Sequence, residues 1–173
     1  MAVPQGLSLE HHRDLQGRER RPLVRQVLVG LLTAVLVLAL LNLFGQRVDV
    51  SSAEGSTARL EVSAPTKLRG GIFFQTRIRV TAIEEIANAT LVLDPDWLED
   101  ITLNTVEPAP VGEASRDGRI ALELGRIPAG DEHRLYLQFQ VNPTALGTRS
   151  QDIELYDGEQ LLLSLDRDAL VWP

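Results

Sequence analysis

Cysteine is absent, which removes disulfides, thiolate metal sites and a cysteine nucleophile together. Histidine is scarce, at positions 11, 12 and 133 only, so imidazole catalysis starts with few candidates. Lysine occurs once, at 67, against 16 arginines; that ratio reflects a GC-rich coding sequence and carries no functional information. An excess of basic charge is missing too. The net charge of −7 argues against general nucleic-acid affinity, which depends on neutralising phosphates. No G-x-S-x-G, H-E-x-x-H, S-x-x-K or P-loop pattern occurs. The chain is therefore expected to be no enzyme and to carry no cofactor or metal.

Long uncharged runs, by contrast, are present. Gln26 to Gln46 carries no charge, and Val27–Gly45 is almost wholly apolar, interrupted only by Thr33 and Asn42. At about 1.5 Å per residue this stretch reaches about 28 Å as a helix, close to the ~30 Å hydrocarbon core of a bilayer. A transmembrane helix is predicted over 23–45. A cleavable signal peptide is the rival, but its apolar run is typically only about 7–15 residues long. The small-x-small sites here, Ser51-Ser52-Ala53 and Ser56-Thr57-Ala58, lie well beyond the run, which favours an uncleaved signal-anchor. Arg13, Arg18, Arg20, Arg21 and Arg25 precede the helix, whereas Arg47 and Arg59 are the only bases close behind it. The positive-inside rule then predicts a single-pass cell-membrane protein with a cytoplasmic N-terminus and an extracytoplasmic C-terminal domain. The bases Arg18–Arg21 also suit anionic headgroups. Residues 1–22, with Pro4, Gly6, Gly17 and Pro22 among polar residues, read as a disordered tail in which His11-His12 is solvated. Gly30 and Ala34 form a small-xxx-small pair that leaves a homodimer open.

Residues 46–57 (QRVDVSSAEGST) are small and polar and read as a linker. Beyond them, 58–173 shows repeated alternation with turn signals about every ten residues, the pattern of an all-β fold. Phe74, Thr76, Ile78, Val80 and Ala82 form the clearest inward row, with Arg77 and Arg79 facing out. Further rows are Leu60–Val62, Thr90–Leu93, Ile101–Leu103, Ile120–Leu124, Leu135–Val141, Ile153–Leu155 and Leu161–Leu165. Asp157-Gly158 between two of them is a strong hairpin signal. Seven or eight strands suit an antiparallel sandwich with Phe74, Phe139 and Trp97 in its core.

The run Gly125-Arg126-Ile127-Pro128-Ala129-Gly130-Asp131-Glu132, followed by Leu135–Phe139 and the loop Leu146-Gly147-Thr148, resembles a recurring piece of bacterial immunoglobulin-like domains. The resemblance covers Ala58–Pro173 and lacks the Cys pair and intervening Trp of antibody-type domains. It implies a fold and, by itself, no activity. The whole architecture looks like that of small single-pass membrane proteins of GC-rich bacteria.

Single residues add little chemistry. His133 reads as an exposed turn residue and Lys67 as a solvated loop residue. Asp94, Asp96, Glu99 and Asp100 cluster within seven residues but lack EF-hand spacing. Asn88-Ala89-Thr90 matches a glycosylation sequon. The expected function is a membrane-anchored interaction or accessory module for another envelope or membrane protein; the alternative is a domain binding a cell-surface glycan or ion. If Leu135–Val141 and Gln151–Tyr156 form a hairpin, Tyr136 faces Tyr156 on the outer side of one sheet. Two neighbouring tyrosines would then be the candidate partner contact. An immunoglobulin-like strand order likewise places Glu123 within reach of Arg77 or Arg79.

Overall fold

The structure, a computed structural model, describes residues 21–41 and 46–173. It divides into two compact units, 1–45 and 46–173. Arg13, Arg18 and Arg20 lie outside the described residues, as do 42–45, the end of the expected 23–45 helix.

In the first unit, α1 runs from Arg21 to Leu40, so it begins two residues earlier than expected and takes in Arg21 and Pro22. Arg25 lies near its start. Leu23–Leu40 has a mean hydropathy of 2.3, and none of it is buried by the protein. Thr33 satisfies its hydroxyl within the helix, donating to the Val29 carbonyl at 2.8 Å. The helix is long and apolar enough to cross a membrane.

The second unit is an all-β sandwich of antiparallel sheets. One sheet has the order β1 (Val48–Glu54), β2 (Ala58–Pro65), β4 (Phe73–Ala82), β9 (Glu132–Val141), β6 (Ile101–Glu107). The other has the order β12 (Gln160–Leu165), β11 (Ile153–Asp157), β5 (Ile86–Leu93), β8 (Arg119–Ile127), β7 (Gly112–Arg116). Both are antiparallel throughout. A small third sheet joins β10 (Gly147–Ser150), β13 (Asp168–Trp172) and, in parallel, β3 (Lys67–Arg69). Inward residues of both large sheets, such as Leu60, Ile78, Leu137, Leu91, Leu122 and Leu155, form one core. The inward row Phe74–Ala82 is as expected, because a one-residue slip would put it in water.

Several expectations fail for physical reasons. The linker 46–57 contains β1, paired along the length of β2 from Val48↔Pro65 to Glu54↔Arg59. An edge strand has a neighbour on one side only and little of β1 is buried, so small polar residues suffice. Leu161 is exposed rather than inward: the ladder shifts between Leu155 and Tyr156, and Leu161 falls opposite Tyr156. Among the described residues there are thirteen strands, more than expected, because short edge strands carry little alternation. The expected hairpin of β9 with β11 does not form. β9 pairs with β4 and β6, β11 with β5 and β12, so Tyr136 and Tyr156 belong to different sheets. Glu123 pairs across to Thr90 and Gly112, away from Arg77 and Arg79.

Candidate functional site

Outward residues of the first sheet form a polar, ion-paired surface. Arg79 faces out as expected and bridges Glu61 at 3.4 Å and Glu132 at 3.5 Å. Arg59 pairs with Glu54, and Arg134 with Glu132. Tyr136 sits between Arg77 on β4 and Glu107 on β6, with the Arg77 guanidinium 5.4 Å from its ring centroid. Such a lattice reads as a solvated face.

The second sheet's outward face is different. Asp117 and Gly118, both at positive φ, join β7 to β8 in a two-residue hairpin. That turn brings Arg116 to the sheet face, where its guanidinium lies 3.9 Å above the Tyr156 ring. It also donates to the Gly158 carbonyl at 3.0 Å and pairs with Glu159. Arg119 bridges Glu154 at 2.8 Å, and the Tyr156 hydroxyl donates to the same carboxylate at 2.8 Å. That hydrogen bond, then burial and the carboxylate's charge, push the phenol above its usual range, so Tyr156 stays a donor at neutral pH.

Beside this network lies a groove of about 590 Å³. Thr90, Ala114, Ala121 and Gly125 give it a floor of short side chains, and Glu123, Asp117 and Glu159 make its rim acidic. Gly112 leaves room for Glu123, since a Cβ there would stand 2.5 Å from the carboxylate oxygen. The far wall is pinned to β5: Asp157 accepts from the Asn88 amide at 2.7 Å, and the Gly158 amide donates to the Asn88 carbonyl at 3.0 Å. One side of the groove is β7, the last strand of its sheet.

No family model and no curated protein matches the chain. Among solved structures it is similar to a non-cellulosomal cohesin from the archaeon Archaeoglobus fulgidus, at 15% identity over 64% of this chain and 88% of that one, with a TM-score of 0.40. It is also similar to the CARDB domain of a Pyrococcus furiosus protein in complex with di-metal ions, at 14% identity over 72% and 89%, with a TM-score of 0.38. These likenesses assign no residue a role.

The acidic cluster is used structurally. Asp94 accepts from the Asp96 amide at 3.1 Å, Asp96 from the Ser150 amide at 3.1 Å, and Asp100 pairs with Arg149 at 3.1 Å. Asp94 thus closes its own turn, and Asp96 and Asp100 tie this segment to the end of β10. Lys67 lies on β3, exposed. His133 is not in a turn: it sits half-buried on β9, opposite Val80. Burial lowers its pKa below the usual histidine value, so the unfolded chain binds that proton more readily than the fold does. Stability from this group is complete above the unfolded pKa of about 6.5 and falls as pH drops through it. The melting temperature is therefore expected to decline less between about pH 7.5 and 5.5 in His133→Gln than in the parent. Identical slopes would remove His133 from that account.

Arg116 and β7 are what the sequence expectations missed. Asp117-Gly118, the same dipeptide type as the hairpin signal at 157–158, marks them.

Proposed function

We propose that the chain is a membrane-anchored interaction module whose groove over β5, β8 and β7 takes an extended segment of a protein partner. In this reading α1 is an uncleaved signal-anchor spanning the bilayer. The arginine excess before it keeps the N-terminus in the cytoplasm and the sandwich outside. The groove beside an edge strand is the observation that supports binding. An added strand would pair with the open edge of β7, and its alternate side chains would lie over Ala114 and Ala121. The acidic rim suits a basic residue in that segment. A binding role, not a catalytic one, fits a site in which Arg116 already holds Glu159 and Arg119 holds Glu154. Tyr156 belongs to this contact as a rigid platform under Arg116, while Tyr136 lies on the other sheet.

A photo-crosslinking amino acid at Glu159, in the full chain in its native membrane, tests this. The expected result is a discrete protein adduct, abolished by Ala114→Arg, which fills the groove from an exposed position, and reduced severalfold by Tyr156→Ser. Tyr136→Ser should leave it unchanged. An adduct indifferent to Ala114→Arg would remove the groove as the binding face.

A further inference from the structure

We infer that the outward face of the small sheet β3–β13–β10 rests on an anionic lipid surface. Alternation sends Leu68, Ala169 and Val171 into the core. Lys67, Arg69, Leu170 and Trp172 therefore share the opposite face, with Leu170 beside Lys67 and Trp172 beside Arg69. Thr148 flanks Leu170 on the other side, and Leu146 immediately precedes β10. Leu146, Leu170 and Trp172 are 54%, 40% and 42% exposed, an apolar group that folding alone leaves in water.

The charges beside it are equally unspent. Seven arginines of the sandwich hold carboxylates, Arg77 lies over Tyr136, and Arg167 is buried. Lys67 and Arg69 form no ion pair among the described residues. Asp168, opposite Ser150 at the start of β13, is exposed on this same face at its β10 end, leaving the two cations in excess. Two unpaired cations beside an exposed Trp and two Leu match the chemistry of a headgroup layer. Apolar and indole groups enter the acyl boundary while ammonium and guanidinium groups meet lipid phosphates. The bilayer's proximity rests on the anchor reading above; the match of this face to it does not.

The chain's two tryptophans allow a direct test, because Trp97 is fully buried. The full chain is placed in nanodiscs of brominated phosphatidylcholine, with or without about one-third phosphatidylglycerol. Subtracting the emission of Trp172→Phe isolates Trp172. The expected result is a blue-shifted Trp172 emission that the brominated lipid quenches when phosphatidylglycerol is present. Lys67→Glu with Arg69→Glu should abolish the quenching and leave the thermal melt unchanged. Water-like, unquenched emission from the incorporated chain overturns the inference and leaves the face to a protein partner. A chain that fails to enter nanodiscs strikes the anchor instead. Vesicles of the same lipids then test the sheet face alone, quenching supporting the inference and its absence overturning it.

Discussion

Trp97→Ala is expected to lower the stability of the sandwich by about 3–5 kcal/mol, the cost of emptying a large aromatic site that cannot collapse. Trp97 ends the 3-10 turn Pro95–Trp97, started by Asp94 as its cap, and is completely buried. Its ring stacks on Phe139 at 5.3 Å, and Phe139 stacks on Phe74 at 5.1 Å, so the three rings form one column in the core. The indole N–H donates to the Asp152 carbonyl at 3.2 Å. On another side lies the buried Arg167 guanidinium, 5.8 Å from the ring. Arg167 donates to Gln151 Oε1 at 2.9 Å and to the Ala64 carbonyl at 3.1 Å, and among the described residues no carboxylate bridges it. Burial pulls its pKa down and the charge of Asp49 opposes this. A guanidinium nevertheless keeps its proton. Removing the indole would leave a void beside a buried charge, a cost in addition to lost packing, while the Asp152 carbonyl keeps its bond from the Asp94 amide at 3.1 Å. Trp97→Phe keeps part of the stack and loses only the donor, so it should cost clearly less. Denaturant unfolding followed by circular dichroism reads both variants. A Trp97→Ala cost below about 1 kcal/mol would mean that the column is not the keystone of this end of the fold.

How far the fold could be read from sequence follows from which strands carry two-sided constraints. β4 and β9 are central, each covered by neighbours on both edges and by the core on one face. Their alternation is therefore complete and was legible. β1 and β7 sit at sheet edges; apart from Val48 and Val50, which are exposed, they are built from Ser, Ala, Gly and charged residues. No inward apolar row betrays them. Pairing was less legible than strand position. Nothing local in 142–152 reveals that the chain leaves one sheet after β9, passes through β10, and enters the other as β11. Hairpin arithmetic assumed the shortest return. The candidate site inherits both limits: the outward parity of Glu154 and Tyr156 followed from alternation, but Arg116 arrives from an edge strand, three positions away across the sheet.

The segment that looks most like a linker is where a truncation should do most harm. A chain beginning at Gln46 is expected to unfold in one cooperative transition, and one beginning at Ala58 to melt about 10 °C lower or not to fold. The difference is β1. It pairs with seven residues of β2, whose Ala58, Leu60, Val62 and Ala64 are all fully buried. Ala53 packs against the core from the covered face of β1. Just after the strand, the backbone at Gly55 comes so close to Leu163 of β12 that a Cβ there would stand 3.0 Å from its Cδ2. Losing β1 removes a full ladder of backbone hydrogen bonds, each worth about 0.5–1.5 kcal/mol net, and uncovers Leu163. The order gained by freeing those residues offsets part of this, about 1–2 kcal/mol per residue, which is why the loss is a matter of degrees and not of certain unfolding. The bared edge of β2 should also pair between chains, so the shorter fragment is expected to associate as concentration rises while the longer one does not. Equal melting temperatures and equal monomer behaviour for the two fragments would show that 46–57 is the spacer its composition suggests and that β1 contributes nothing to the fold.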